Sequence, residues 1–131
     1  MQDENLKHLF QRAKSVMLQS YSPYSKFKVG AALLCKDGKI FCGCNYESVA
    51  FGAGVCAERV ALGAAITAGE HEFDTIVVCG TSKSPVMPCG VCRQALLEFG
   101  EIMVVCCNED GSIIHKFKSS ELLPSAFLNQ I

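Results

Sequence analysis

Three cysteines in two short segments constrain this fold more than any other feature of the sequence. Cys56 begins the segment Cys-Ala-Glu, and Cys89 and Cys92 form a Cys-x-x-Cys pair after Pro88. Each segment opens a stretch of helical composition, and free N–H groups at a helix N-terminus lower the pKa of a nearby thiol. The Cys-x-x-Cys pair alone is ambiguous, because it suits a zinc clip, a redox pair or two structural cysteines. A fold that joins the two helix starts would aim three thiolates at one point.

Three thiolates are the ligand set of a catalytic zinc site, because one tetrahedral position stays free for water. Glu58 lies two residues after Cys56, so its carboxylate is placed to move protons beside the metal without binding it. Three thiolates also leave excess negative charge on the site, which Arg59 is placed to offset by donating hydrogen bonds to a sulfur. The alternative for Arg59 is a solvated helix arginine.

Several alternatives to a catalytic metal site stay open at this point. In the first, the three cysteines are buried apolar residues. In the second, the Cys-x-x-Cys pair is redox-active, and Cys56 and Glu58 then have no role. A zinc-stabilised binding module without catalysis is a further alternative, although structural zinc is usually closed by four protein ligands.

Size and charge favour a single domain that handles a small molecule. The chain has 131 residues, of which 50% are hydrophobic, and we predict one domain over residues 1–131. The formal net charge is -1 and the charges are scattered, so a nucleic acid polymer is not the expected partner. No apolar stretch approaches the roughly 20 residues of a membrane span.

The nine cysteines indicate a reducing compartment. Their number is odd and the N-terminal residues do not have the pattern of a secretory signal, so we expect no disulfide framework and a soluble, cytoplasmic protein. The six cysteines outside the proposed metal site are expected to be buried small residues in or beside strands.

Periodicity and turn signals predict an α/β fold. Asp3 caps a helix that begins near Leu6 and stops near Ser20. The remaining predicted elements are strands over 28–35 and 39–45, a helix over 56–68, a strand over 73–80, a helix over 89–99, strands over 102–107 and 112–117, and a helical turn over 119–123. This order predicts a mixed five-stranded sheet with packed helices. The short connection at 108–111 predicts that the last two strands are antiparallel.

Motifs along nearly the whole chain resemble the small homotetrameric cytidine deaminases. They are Tyr21-Ser22-Pro23-Tyr24-Ser25, Phe27-Lys28-Val29-Gly30-Ala31-Ala32, Gly43-Cys44-Asn45-Tyr46-Glu47, Cys56-Ala57-Glu58-Arg59, Pro88-Cys89-Gly90-Val91-Cys92-Arg93-Gln94 and Glu121-Leu122-Leu123-Pro124. The resemblance implies a three-layer α-β-α fold and one Zn²⁺ per subunit of a homotetramer. It also implies hydrolytic deamination of cytidine and 2′-deoxycytidine, with release of ammonia, in pyrimidine salvage.

The resemblance also implies roles for individual residues. Glu58 is the proton carrier, and Asn45 and Glu47 hold the ribose hydroxyls. Phe27 lies near the base, and the backbone of Ala57 with the loop 84–87 reads the pyrimidine edge. Phe127 reaches into a neighbouring subunit's pocket. Without the resemblance, Asn45 is a turn residue, Glu47 is a surface acid, and Phe127 packs on its own core.

Three departures from the family pattern concern substrate preference, and one of them is that the loop Phe51-Gly52-Ala53-Gly54 is richer in glycine than usual. Phe51 stands where relatives usually carry Tyr, and Val91 replaces a usual Ala between two ligands. The glycine-rich loop before Cys56 is similar to that of enzymes acting on a modified cytosine nucleoside such as blasticidin S, which is the alternative substrate. Phe27 and Asn45, together with Glu47, favour cytidine. The charge pattern argues against a polynucleotide deaminase.

Overall fold

The computed structural model describes residue 1 and residues 3–128, so residue 2 and residues 129–131 of the predicted domain lie outside the described part. Every predicted helix and strand is present, with boundaries shifted by a few residues. The elements are α1 (Glu4–Met17), β1 (Val29–Cys35), β2 (Ile40–Cys44), α2 (Ala57–Thr67), β3 (Phe73–Gly80), α3 (Gly90–Leu97), β4 (Met103–Cys107) and β5 (Ile114–Lys118), with 3₁₀ turns at Phe51–Ala53 and Ser119–Leu122.

Local chemistry explains two of the boundaries. The Asp3 carboxylate accepts hydrogen bonds from the N–H groups of Asn5 and Leu6, which caps α1 as predicted. The last strand begins two residues later than predicted, because the Asn108 side chain bonds the residues before it. Asn108 Oδ1 accepts from the Ile113 N–H at 3.0 Å, and Nδ2 donates to the Ser112 hydroxyl at 3.1 Å. These contacts hold Ser112 in a turn.

The predicted mixed five-stranded sheet is confirmed, with the strand order β2-β1-β3-β4-β5. Among the five strands of residues 3–128, only β3 and β4 pair in parallel, with Thr75 opposite Met103, and α3 lies in the crossover that a parallel pair requires. The other neighbouring pairs are antiparallel. They include the last two strands, in which Met103 lies opposite Lys118.

Helices cover both faces of the sheet. On one face, α1 buries Leu9, Ala13 and Met17 against residues such as Val77 and Val105. On the other face, α2 and α3 bury a separate apolar cluster against the sheet. The layers are therefore helix, sheet and helix. No helix in residues 3–128 is long and apolar enough to cross a membrane.

Small residues let α2 approach the sheet closely. Ala57, Ala61 and Ala65 are fully buried on its inner face. A Cβ atom added to Gly43 of β2 would lie 2.4 Å from the Ala61 backbone nitrogen, so α2 rests against bare strand backbone there. This contact sets the position of the N-terminal end of α2, where Cys56 and Glu58 lie.

All nine cysteines are free thiols. Of the six expected to be structural, Cys35, Cys79, Cys106 and Cys107 are buried as predicted, whereas Cys42 and Cys44 are half-buried on the edge strand β2. Burial raises the pKa of the Cys79 thiol to about 11 and the pKa values of Cys106 and Cys107 to about 12. These three thiols therefore stay protonated at neutral pH and behave as small apolar residues.

Candidate active site

The fold brings the two cysteine segments together at the N-terminal ends of α2 and α3. Cys56 and Cys89 each lie one residue before their helix, rather than at its first residue as predicted. Both have extended backbone conformations, and neither side chain caps its own helix. Cys92 lies in the first turn of α3 and is fully buried. All three sulfurs are therefore free to bind one shared metal ion.

The sulfur positions fit one zinc ion. The three Sγ atoms of Cys56, Cys89 and Cys92 all lie within 4.8 Å of one another, and those of Cys56 and Cys89 are 3.5 Å apart. Tetrahedral zinc with Zn–S bonds of about 2.3 Å places its sulfurs about 3.8 Å apart. The observed spacing therefore suits thiolate ligands of one small cation, with one tetrahedral position left over.

The charges of the thiols also point to a cation. Hydrogen bonding, first from Cys92 and then from Cys89 and Arg59, lowers the pKa of Cys56 to about 5. The pKa of Cys92 moves strongly upward, because its thiol donates to Cys56 and is buried. Sulfurs this close cannot all ionise unless positive charge is added between them. A divalent metal supplies that charge, so the donor set fits zinc.

Arg59 lies one helical turn after Cys56 and faces the sulfurs. Its Nη2 donates to Cys56 Sγ at 3.9 Å, and the pKa of the guanidinium is raised, mainly by a hydrogen bond with Cys92. Its Nε atom is buried without a hydrogen-bond partner among the described residues. Arg59 is thus not a solvated surface arginine, and its charge lies where excess thiolate charge would collect.

Glu58 is a buried carboxyl group beside the cysteines. It lies in the first turn of α2 and is only 3% exposed. Burial, the largest cause, raises the pKa of Glu58 to about 7, and the nearby charge of Cys56 adds to the rise. A carboxyl group with this pKa both accepts and donates protons near neutral pH, which is the property of a general acid–base.

A cavity of about 210 Å³ opens onto Cys56, Cys89 and Glu58. Three residues that the sequence analysis assigned to substrate also line it: Phe27, Asn45 and Ala57. Within the predicted loop 84–87, Val86 and Met87 line the wall. The structure therefore places Glu58 and three of the predicted substrate residues around one space.

Two residues that were not predicted from the sequence shape this cavity: Val29 lines it, and Gly80 lies against its wall. Val29 lines the wall as the first residue of β1, and no signal in the sequence marked it as part of the site. A Cβ added to Gly80 would lie 2.7 Å from Val86 Cγ2 and 3.1 Å from Phe27 Cζ. A glycine at the end of β3 therefore preserves the room in which these side chains pack, and glycine in a strand is typical of such close approach.

Asn45 joins the end of β2 to the segment that precedes β1. Its Oδ1 accepts from the Val29 N–H at 2.9 Å and from the Ser20 hydroxyl at 2.5 Å, and its Nδ2 donates to the Phe27 carbonyl at 2.9 Å. A side-chain amide has two N–H donors, so one N–H remains for a ligand. Asn45 therefore has a structural role at the end of β2, in keeping with its alternative interpretation as a turn residue, and it also faces the cavity.

Glu47 lies on a second cavity, of about 380 Å³, together with Ser25 and Phe51. Its Oε1 accepts from the N–H groups of Tyr24 and Ser25 at 3.1 and 3.2 Å, and its Oε2 accepts from the Ser25 hydroxyl. These bonds, led by that from the hydroxyl, lower the pKa of Glu47 and keep it ionised. Glu47 is thus not among the residues that line the cavity at Cys56 and Cys89.

Phe127 does not pack on the core of its own chain. Its side chain is 67% exposed, and its carbonyl accepts from Gln94 Nε2 at 2.8 Å. The interpretation of Phe127 as an ordinary core residue, which spacing alone favoured, is therefore wrong.

Comparison with known proteins agrees with this geometry. Residues 3–108 match the family model described as the cytidine and deoxycytidylate deaminase zinc-binding region. The chain is 42% identical to a cytidine deaminase of Sporosarcina psychrophila over 94% of this chain and 91% of the relative. It resembles the crystal structure of a cytidine deaminase from Burkholderia pseudomallei with a TM-score of 0.88 and 43% identity, over 92% of this chain and 98% of the other.

A more distant similarity bears on the alternative substrate. The chain is 32% identical to a blasticidin-S deaminase of Bacillus cereus over 76% of each chain. The match is weaker and shorter than that to the cytidine deaminases. The family match, the similarity over nearly the whole chain and the three-sulfur site agree, and the chain therefore belongs to the zinc-binding cytidine and deoxycytidylate deaminase family of enzymes.

Proposed function

We propose that this chain catalyses the hydrolytic deamination of cytidine and 2′-deoxycytidine to uridine and 2′-deoxyuridine, with release of ammonia. One observation carries the proposal: the buried carboxyl group of Glu58 shares a cavity with cysteines of a three-thiol metal site. Three ligands leave a position for the water that hydrolysis consumes. A carboxyl group beside that position is able to carry the protons.

Cys56, Cys89 and Cys92 would hold the zinc ion, and Arg59 would offset the excess negative charge of three thiolates. When bound, zinc supplies a Lewis acid that makes water nucleophilic at neutral pH. Glu58 takes a proton from the water that adds to ring carbon C4 and gives it to ring nitrogen N3. Glu58 then carries the second proton to the amine as the C4–N bond breaks, and ammonia leaves.

The residues around Glu58 would orient the nucleoside. Phe27 would pack on the pyrimidine ring, and the backbone of Ala57, next to Glu58, would bind the polar edge of the base. The remaining N–H of Asn45 and the carboxylate of Glu47 would bind sugar hydroxyls. Glu47 follows Asn45 by two residues, so the sugar would extend from the first cavity toward the second.

We further propose that the enzyme is a cytoplasmic homotetramer with one zinc ion per subunit. Large apolar side chains on the surface support assembly: Phe127 is 67% exposed, Phe51 is 89% exposed and Val49 is 79% exposed. In the tetramer, Phe127 would reach a neighbouring subunit's pocket. The nine free thiols suit a reducing compartment.

Glu58→Ala tests the catalytic assignment. We expect the variant to keep its fold and its zinc, and to lose activity by about 10³-fold, because Glu58 is the one carboxyl group among the described residues that line this cavity. Zinc content is measured alongside a spectrophotometric assay of cytidine turnover. Glu98→Ala, which removes an exposed glutamate after α3, is the matched control and should keep normal activity. Substantial turnover by Glu58→Ala would remove Glu58 from proton transfer.

A substrate panel tests the specificity. Cytidine, 2′-deoxycytidine, free cytosine and blasticidin S are compared with the same enzyme. We expect turnover of both nucleosides and weak turnover of free cytosine, which lacks the sugar that Asn45 and Glu47 would bind. Blasticidin S is included because of the similarity to the Bacillus cereus enzyme. Faster turnover of blasticidin S than of cytidine would overturn the proposed substrate.

A further inference from the structure

We propose that Ser25 is a positioning residue, which holds Glu47 and Phe27 in the geometry that binds the nucleoside. This inference rests on the proposed function, in which Glu47 binds a sugar hydroxyl and Phe27 packs on the base. The Ser25 hydroxyl donates to Glu47 Oε2 and accepts from the Phe27 N–H at 3.0 Å. One hydroxyl therefore joins residues from both cavities.

The direction of both hydrogen bonds is determined by chemistry. An ionised carboxylate only accepts and a backbone N–H only donates, so the single Ser25 proton must point to Glu47. The pKa of Glu47 is lowered, principally by this hydroxyl, so the carboxylate is ionised at neutral pH. Ser25 thereby fixes the rotation of the carboxylate.

Counting lone pairs shows what remains for a substrate. The two oxygens of Glu47 offer about four acceptor positions. The backbone N–H groups of Tyr24 and Ser25 use two on Oε1, and the Ser25 hydroxyl uses one on Oε2. One acceptor position on Oε2 is left, beside the Ser25 hydroxyl. Ser25 therefore decides where Glu47 is able to receive a sugar hydroxyl.

The backbone next to Ser25 has an unfavourable conformation that the Ser25 hydrogen bonds help to stabilise. Lys26 has a φ of 63°, a left-handed conformation that is costly for a residue with a side chain. The Lys26 N–H donates to the Ser22 carbonyl at 3.1 Å, and the Ser25 hydroxyl bridges the bend to the Phe27 N–H. The bend turns the chain from Glu47 toward the first cavity, where Phe27 lies.

Ser25→Ala separates positioning from general support of the fold. We expect the KM for cytidine to rise about tenfold, the typical effect of one hydrogen bond to a charged group, while kcat stays within about twofold. The KM for 2′,3′-dideoxycytidine should rise less than that for cytidine, because that nucleoside has no ring hydroxyl for Glu47 to bind and reports only the loss of the hydrogen bond to Phe27. An equal rise of KM with both substrates, or no rise with cytidine, would overturn the proposal.

Two further variants complete the experiment. Ser25→Thr keeps the hydroxyl and should retain most of the cytidine affinity, since residue 25 is exposed and has room for a methyl group. A tenfold loss in Ser25→Thr, equal to that in Ser25→Ala, would contradict the role of the hydroxyl. Ser112→Ala removes a hydroxyl that also makes a side-chain hydrogen bond, to Asn108 in the β4–β5 turn, and should leave both KM values unchanged.

The wild-type enzyme separates failure of this inference from failure of the proposed function. If the wild type does not deaminate cytidine, the proposed function is wrong. If the wild type deaminates cytidine and Ser25→Ala has the same KM as the wild type, only the role of Ser25 is wrong. In the double variant with Glu47→Gln, the Ser25→Ala effect should largely disappear, because the carboxylate that Ser25 orients is gone.

Discussion

Replacing Gly43 by alanine should displace α2, the helix whose N-terminal end holds Cys56 and Glu58. Gly43 lies on β2 directly under α2, and an added Cβ would lie 2.4 Å from the Ala61 nitrogen and 2.7 Å from the Ala57 carbonyl oxygen. Both atoms belong to the helix backbone, so a side-chain rotation cannot relieve the overlap. Ordinary contact begins at about 3.4 Å, so α2 must move away from the sheet by about 1 Å.

The size of the effect follows from what α2 carries. Cys56 precedes its first residue, and Glu58 lies in its first turn. Overpacking of this kind costs about 1–3 kcal/mol in the free energy of unfolding. A displacement of about 1 Å at a reacting group costs about 100-fold in rate. We therefore expect Gly43→Ala to fold with reduced stability, to bind zinc more weakly and to lose about 100-fold in kcat.

Urea unfolding, zinc content and cytidine turnover measure the three quantities. Gly63→Ala is the control on the same helix, because Gly63 is exposed and a Cβ there meets nothing within 4 Å. This control should raise the free energy of unfolding by about 0.5–1 kcal/mol through helix propensity and leave kcat unchanged. A Gly43→Ala enzyme with wild-type kcat and zinc affinity would refute the argument that this close approach positions Glu58.

Two other substitutions test the charges around the fold. Arg59→Gln should weaken zinc binding by about 10- to 100-fold, because the guanidinium contacts the sulfur of Cys56. Competition with a chelator measures the zinc affinity. Unchanged zinc content together with unchanged turnover would exclude charge compensation by Arg59. Glu101→Gln should unfold at lower urea concentration than the wild type at neutral pH, because hydrogen bonds, led by that from the Ser120 N–H, lower the pKa of Glu101. A carboxylate of lowered pKa stabilises the fold at pH values above its ordinary pKa and loses this effect as the pH falls through the lowered value. The difference in urea midpoint between Glu101→Gln and the wild type should therefore vanish in acid. A difference that persists in acid would contradict this explanation.

The helix starts that carry the candidate site could be predicted from the sequence, because the signals for a helix start lie within a few residues. Cys56 and Cys89 were placed at helix starts from the composition of the residues that follow, and the structure moves each by only one residue. The Asp3 cap was predicted by the same kind of signal, and its carboxylate bonds the N–H groups of α1. Such signals act over a few residues, where the backbone geometry of a helix or turn determines which atoms meet.

The tertiary structure alone decided which distant groups share a cavity. Asn45 and Glu47 are two residues apart, yet Asn45 lines the cavity at Cys56 and Glu47 lines another, with its carboxylate held by Ser25. The position of the buried Glu58 likewise depends on how closely α2 lies over Gly43. Distances between segments far apart in the chain are set by strand pairing and by side-chain volumes at the helix–sheet contact. No pattern within one segment carries that information.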